Sequence, residues 1–308
     1  MYRTGNTPPL LADLVDMDSP AAVLDEVLFI MTLITPQMDP TRLTNAFNFA
    51  AGLYGGRWPG ERECNTGFHD FRHITDTFLA MARLIHGAIL NGHMLNEKQI
   101  YAGLVSAILH DAGYIQDADD GDGTGAKYTT VHVQRSMDFV QRYGQRYGLT
   151  QSEIPDCRQM ILCTDLGIDI PSLSFSSPRV ELLGKLLGCA DLIGQMADRI
   201  YLEKLFYLYR EFEEGKVLDY ADEMDLLAKT LSFFPAIERR INEQLGGAHQ
   251  LAKAHFAARW NISRNLYQET IAKQRRYLEF ILSHPDCDPE KFLRRKNIVA
   301  QLIRRVKA

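Results

Sequence analysis

Phe68-His69-Asp70-Phe71-Arg72-His73-Ile74-Thr75-Asp76-Thr77-Phe78-Leu79-Ala80-Met81-Ala82-Arg83-Leu84-Ile85-His86-Gly87-Ala88-Ile89 is the stretch on which the fold turns. Phe71, Ile74, Phe78, Ala82, Ile85 and Ile89 recur at intervals of three and four, the spacing of side chains stacked on one face of an α-helix. Ile100, Leu104, Ala107 and Ile108 repeat the pattern, as do stretches near 23–35, 40–54, 130–147, 152–164, 179–213, 222–245, 249–283 and 289–306. Alternating apolar and polar runs bounded by turns, the mark of strands, are missing. The chain reads as all-α, about ten helices in a compact multi-helix bundle, and as a single helical domain over residues 1–308.

Three segments interrupt the helical period: Gly55–Gly67, the acidic and Gly-rich Asp117–Gly125, and Gly167–Pro178. None has the long Ser/Pro/Gly run of a flexible interdomain linker. Of the 308 residues, 46% are apolar and 24% charged, the balance of a folded globule. The net charge of −5 excludes a strongly basic nucleic-acid module. The basic clusters Arg294-Arg295-Lys296 and Arg304-Arg305 alternate with apolar packing residues, so no nucleic-acid partner is expected. The longest apolar run, around Val27–Ile34, falls well short of the roughly 18 residues of a membrane span and is interrupted by Thr32. The N-terminal residues lack an apolar signal core, so secretion is not implied. Five scattered cysteines without a CxxC pair argue against a disulfide framework or thiolate zinc site and for a reducing cytoplasm.

Histidine and aspartate carry the chemistry. The four-residue spacing of His69 and His73 sets them one turn apart on the face of the helix that opens here. Ile108-Leu109-His110-Asp111-Ala112-Gly113 sits where a second apolar helix ends. In Gly188-Cys189-Ala190-Asp191-Leu192, Asp191 falls four residues after Leu187, on the apolar stripe. A carboxylate buried there without a partner costs several kcal/mol, so it requires a cation or strong donors. Two imidazoles and two carboxylates meeting in a helical core suit a divalent transition metal. Taken one at a time the fragments are weak: one HxxxH among nine histidines is common, and Asp191 could hydrogen-bond a neighbouring helix. A metal set built on the first pair, His69-Asp70, is also open. Their conjunction at helix ends and core positions carries the reading.

In this order, His-x3-His, then apolar-apolar-His-Asp, then apolar-x-Cys-Ala-Asp-Leu, the motifs resemble the HD superfamily of metal-dependent phosphohydrolases. More narrowly, they are similar to the catalytic domain of class I cyclic-nucleotide phosphodiesterases. The likeness takes in Met160-Ile-Leu-Cys-Thr-Asp165 and Tyr209-Arg-Glu-Phe-Glu-Glu-Gly215 and spans roughly residues 60–215. The resemblance implies that His73, His110, Asp111 and Asp191 hold a first divalent metal. Asp111 would bridge to a second one whose other ligands are largely water, with Zn, Mn, Mg and Fe as the candidates. It implies that a metal-bound hydroxide attacks a phosphodiester such as a cyclic nucleotide, that His69 protonates the leaving oxygen, and that Thr164 and Asp165 form an outer-shell pair. Asp70 or Asp111 would maintain the charge of His69.

The pattern also departs from the phosphodiesterases. Their His-Asp-x2-His-x4-Asn signature has Tyr114 and Asp119 at its last two positions here, and Phe68-His69-Asp70 stands where Tyr-His-Asn is usual. Gln268 and Gln274 lie in the region of the base-reading glutamine without matching context. A nucleotide phosphomonoesterase and a non-catalytic, metal-containing nucleotide sensor are the alternative functions. Secondary expectations are a mobile loop at 117–125, the stretch Thr124-Gly125-Ala126-Lys127 offering backbone donors and the Lys127 cation to phosphate, and His132 as an outer-shell residue. Gln195 would be a substrate contact on one long helix with Asp198 and Arg199, which are assigned to helix–helix ion pairs. The expected partner is a small phosphoester or nucleotide. Tyr201, Phe206, Tyr207 and Tyr209 are assigned to core or interface rather than to a base-stacking platform, and a homodimer is left open.

Overall fold

Residues 9–307 are described by a computed structural model, the side chains of 305–307 excepted, so residues 1–8 of the segment read for a leader and the side chain of Arg305 lie outside what is described. Their α-helices number thirteen: α1 (Pro20–Ile34), α2 (Pro40–Tyr54), α3 (Phe71–Leu90), α4 (Glu97–Leu109), α5 (His132–Tyr143), α6 (Glu153–Leu162), α7 (Pro178–Ala197), α8 (Tyr201–Glu214), α9 (Glu223–Glu243), α10 (Ala252–Trp260), α11 (Leu266–Ser283), α12 (Pro289–Phe292) and α13 (Ile298–Lys307). The architecture is all-α; the one trace of β-structure among the described residues is an isolated antiparallel bridge between Glu61 and Asp117. No described helix is long and apolar enough to cross a membrane.

The count exceeds ten because three continuous patterns break. Between α7 and α8, Asp198 leaves the helical region (ψ 135°) and its carboxylate accepts from the Ile200 amide, so Gln195 and Glu203 lie on different helices. Between α10 and α11, Asn261 takes a left-handed conformation (φ 55°) and Asn265 caps the new helix. The stretch near 289–306 divides into α12 and α13.

Every residue of α3 from His73 to Ala88 is buried, so the helix is enclosed on all sides rather than half-exposed. It packs against α1, α4, α7 and α10. Its polar side chains therefore point into protein, among them His73, Asp76, Arg83 and His86. α7 crosses it closely at Gly194, where a Cβ would lie 3.2 Å from the Asp76 carbonyl. That approach brings Asp191, one turn earlier on α7, beside His73.

The acidic loop, expected to be mobile, is hydrogen-bonded into the fold. The Gln116 amide donates to the carbonyls of Asp120 and Asp122, both at 3.2 Å. The loop pairs with the Gly55–Gly67 segment through Arg62 N to Gln116 O (2.9 Å) and Ala118 N to Gly60 O (2.9 Å). These bonds satisfy backbone groups of the loop through residues distant in sequence, which no local sequence pattern announces.

Candidate metal centre

Three elements converge on one point. His73 occupies the first turn of α3, held by the Asp70 carboxylate, which caps that helix by accepting from the His73 amide at 3.0 Å. His110 ends α4, and its Nδ1 donates to the Ala107 carbonyl at 2.9 Å, leaving Nε2 to face inward. Asp111 follows in a non-helical turn (φ −111°, ψ 13°), and Asp191 comes from the middle of α7.

Their donor atoms are packed together. His73 Nε2 lies 3.1 Å from His110 Nε2, 3.2 Å from Asp111 Oδ2 and 3.1 Å from Asp191 Oδ1. His110 Nε2 lies 3.3 Å from Asp111 Oδ2 and 3.5 Å from Asp191 Oδ1. Both imidazole nitrogens thus stand within 3.5 Å of an oxygen of each carboxylate, and closing the four donors to the roughly 2.0–2.2 Å bonds of a zinc-like ion requires a small inward shift of the carboxylates. Asp111 Oδ2 is buried with no hydrogen-bond partner. His73, His110 and Asp111 form a buried group able to hold a metal ion, and the two carboxylates with two neutral imidazoles match the charge of one dication.

Electrostatics give the same picture. Burial pushes the His73 imidazole down, but the close approach of the Asp111 and Asp191 carboxylates outweighs it and holds the group up at about 9. Burial opposes ionisation of both aspartates, yet the imidazoles hold their carboxyls well below the usual range. The site thus demands positive charge, which a proton or a cation supplies; binding of a cation displaces protons.

Around this core the expected residues divide. His69 precedes the helix, which begins at Phe71, so a shared helical face does not set its position. Even so, its ring lies 5.7 Å from that of His73. Its Nδ1 donates to Glu211 Oε2 at 2.5 Å, and Glu211 Oε1 accepts from the Phe68 amide at 2.6 Å. Glu211, buried on α8, was not singled out in the sequence. Asp70 does not support His69: its carboxylate is committed to the α3 cap and to Lys204 Nζ at 2.9 Å. Gln195 Nε2 donates to Asp191 Oδ1 at 3.2 Å, making it a partner of the candidate ligand.

His132 Nε2 lies 3.7 Å from Asp111 Oδ1. Tyr114 is sandwiched between His69 and His132, at centroid distances of 4.4 and 4.6 Å, with planes 13° and 22° apart. Thr164 Oγ1 instead bonds back to the Ile161 carbonyl at 2.8 Å, and Asp165 accepts from the Gly167 amide at 2.8 Å. Both are used in ending α6. Lys127 is bonded to the Asp120 carboxylate and the Asp122 carbonyl within its own loop. Asp198 pairs with Arg72 through Nε (3.1 Å) and Nη2 (2.8 Å), and Gln274 Nε2 donates to the Asp198 carbonyl at 2.7 Å. Arg199 and Asp119 lie exposed. Gln268 lines a separate cavity of about 280 Å³ with Ile193, Met196 and Phe234.

The Npun_R2479-like family model matches residues 118–246, which include His132, Asp191 and Glu211 and leave the His69–Asp111 half of the site outside. No curated protein matches the chain. Among solved structures, "Structure of LmjPDEB1 in complex with IBMX" aligns at 13% identity with a TM-score of 0.49, covering 88% of this chain and 94% of that one. The functional reading therefore stands on the side chains.

Proposed function

We propose that this chain is a metal-dependent phosphohydrolase of the HD type, acting on a phosphodiester such as a cyclic nucleotide. The observation that carries the proposal is the meeting of His73, His110, Asp111 and Asp191 beside a histidine anchored by a buried carboxylate, His69 on Glu211. Divalent ions bound there, two by resemblance, would neutralise the phosphate and lower the pKa of a bound water.

The protein's own groups do the rest. Glu211 fixes the Nδ1–H of His69 and offers a counter-charge to the protonated ring, while stacking on Tyr114 sets the plane of the ring. The second ring nitrogen is then free to give a proton to a departing alkoxide, a contribution typically worth about 10²–10⁴ in rate. Gln195 holds Asp191 Oδ1 toward the imidazoles. Side-chain exposure marks the entrance: His69, Asp191 and His132 are 14%, 12% and 23% exposed, against 1–4% for His73, His110 and Asp111. A phosphate would approach from that side.

The test is turnover of bis(p-nitrophenyl) phosphate, cyclic nucleotides and nucleoside monophosphates by protein reconstituted with Mn²⁺, Mg²⁺ or Zn²⁺ and checked for bound metal. Cleavage of diesters in preference to monoesters is expected; the reverse preference selects a phosphomonoesterase. No turnover with metal bound, together with tight nucleotide binding, selects a sensor. On a diester with an alkyl leaving group, His69→Ala should lose about 10²–10⁴ in kcat while keeping its metal.

A further inference from the structure

We infer that His132 is a protein ligand at the second metal position, binding through Nε2 opposite Asp111 Oδ1, and that this position takes a transition-metal dication such as Mn²⁺, Fe²⁺ or Zn²⁺ in preference to Mg²⁺. The inference rests on the metallohydrolase reading and replaces with a side chain what the sequence resemblance left to water.

Asp111 divides its two oxygens. Oδ2 belongs to the four-donor cluster, and Oδ1 faces His132 Nε2 at 3.7 Å, beyond hydrogen-bonding reach. The His132 ring is oriented as a ligand is. Its Nδ1 lies 2.6 Å from the Thr129 carbonyl, which can only accept, so Nδ1 carries a proton and Nε2 is left for another partner. His110 is held in the same way, through Nδ1 to the carbonyl three residues before it. A hydrogen bond from the distal ring nitrogen to a carbonyl is the usual support of a metal-binding imidazole. On a neutral ring, a nitrogen lone pair and a carboxylate oxygen then face one another with nothing to attract them. Two ligands each about 2.1 Å from one cation stand about 3.0 Å apart at a right angle and about 4.2 Å apart when opposed, so a cation fits this gap.

The position of His132 is also built rather than incidental. Gly113, two residues after Asp111, packs so tightly on the start of α5 that a Cβ would lie 2.0 Å from the His132 carbonyl. The Gly113 amide donates to Ser136 Oγ at 2.9 Å, and Arg135 donates back to the carbonyls of Gly113 (2.8 Å) and Ile115 (2.9 Å). The turn that presents Asp111 therefore also places His132, and Tyr114 fixes the ring by stacking. An imidazole suits Zn and Fe, with Mn²⁺ a spin-active transition-metal probe of the same position, whereas Mg²⁺ prefers oxygen ligands and retained water; hence the metal class.

The experiment strips the full chain with a chelator, reloads it with Mn²⁺, removes the excess, and reads Mn per chain by elemental analysis and spin coupling by electron paramagnetic resonance. Wild type should hold two Mn²⁺ with a coupled spectrum. His132→Ala should hold one, with the six-line spectrum of an isolated ion, and His132→Asp should recover the second. Should the alanine variant fail to fold by circular dichroism, His132→Gln, which keeps a donor for the Thr129 carbonyl, is expected to hold one. Two coupled ions in folded His132→Ala or His132→Gln would overturn the assignment and make His132 a simple ion-pair partner of Asp111. One ion in wild type overturns it too but leaves the four-residue centre standing. None in wild type removes both.

Discussion

Glu211→Gln tests the chemistry of the site with the least disturbance to its shape. The substitution keeps an amide oxygen to accept from the Phe68 N–H, so the chain around His69 stays anchored, but it removes the negative charge 2.5 Å from His69 Nδ1. Glu211 is only 4% exposed at its side chain, so solvent screens that charge little. With its single oxygen kept on the Phe68 N–H, the glutamine turns its NH2 group toward His69 Nδ1, so the protonated ring loses the whole charge-assisted bond, about 1.5–3 kcal/mol. That is about 10- to 150-fold in a step that uses its proton. The assay is kcat on two phosphodiesters of equal charge, one expelling an alkoxide and one expelling p-nitrophenolate, a leaving group needing little protonation. Loss on the alkyl substrate with near-wild-type turnover of the aryl one is expected. Equal loss on both, or none on the alkyl substrate, would refute the assignment of His69 as the proton donor.

Three further outcomes follow from particular contacts. Gln195→Ala removes the amide that holds Asp191 Oδ1, and should weaken Mn²⁺ binding about 10- to 100-fold by titration calorimetry; unchanged affinity would place Gln195 outside the metal site. His86 and His255 face each other through Nδ1 at 3.0 Å in the core; burial pushes both down, with Arg83 adding to the push on His255, which sits at about 2. Because the folded values lie below the unfolded one, stability is complete above about pH 6.5 and falls as pH drops, by about 2 kcal/mol for His255 alone at pH 5. Thermal melts should show that decline in wild type and a flatter one in the double variant H86L/H255L; parallel curves would contradict the buried-neutral pair. Gly113→Ala drives a methyl into the His132 carbonyl, and should cost about 1–3 kcal/mol in denaturant melts; a silent substitution would mean that the α5 start is not fastened to the His-Asp turn.

Helical periodicity made the α3 and α4 patterns visible, because apolar spacing is a local property. Where helices stop was less visible. The breaks at Asp198 and Asn261 depend on one residue leaving the helical region, and the apolar pattern runs on through both. Nor did the pattern show that α3 is enclosed on every side: Asp76, Arg83 and His86 look like a solvent face, yet other helices cover them. In the site, residue type and apolar context drew attention to His69, His73, His110, Asp111 and Asp191, the resemblance selected the set of four without His69, and the donor atoms of those four lie close together. Glu211 was hidden among Glu213 and Glu214; the available signal was its spacing of seven from Lys204, which puts both on the buried side of α8. Asp70 and Lys127 were chosen by type and neighbourhood, and Thr164 and Asp165 by the resemblance. Their commitments to caps, loop pins and helix ends depend on local backbone geometry that type does not report.

Anomalous X-ray scattering from crystals of the Mn²⁺-loaded chain examines the central proposition at atomic distance. A strong peak about 2.0–2.2 Å from His73 Nε2, His110 Nε2, Asp111 Oδ2 and Asp191 Oδ1 is the predicted result. A chain that takes up no manganese, or holds it away from those four atoms, would contradict it.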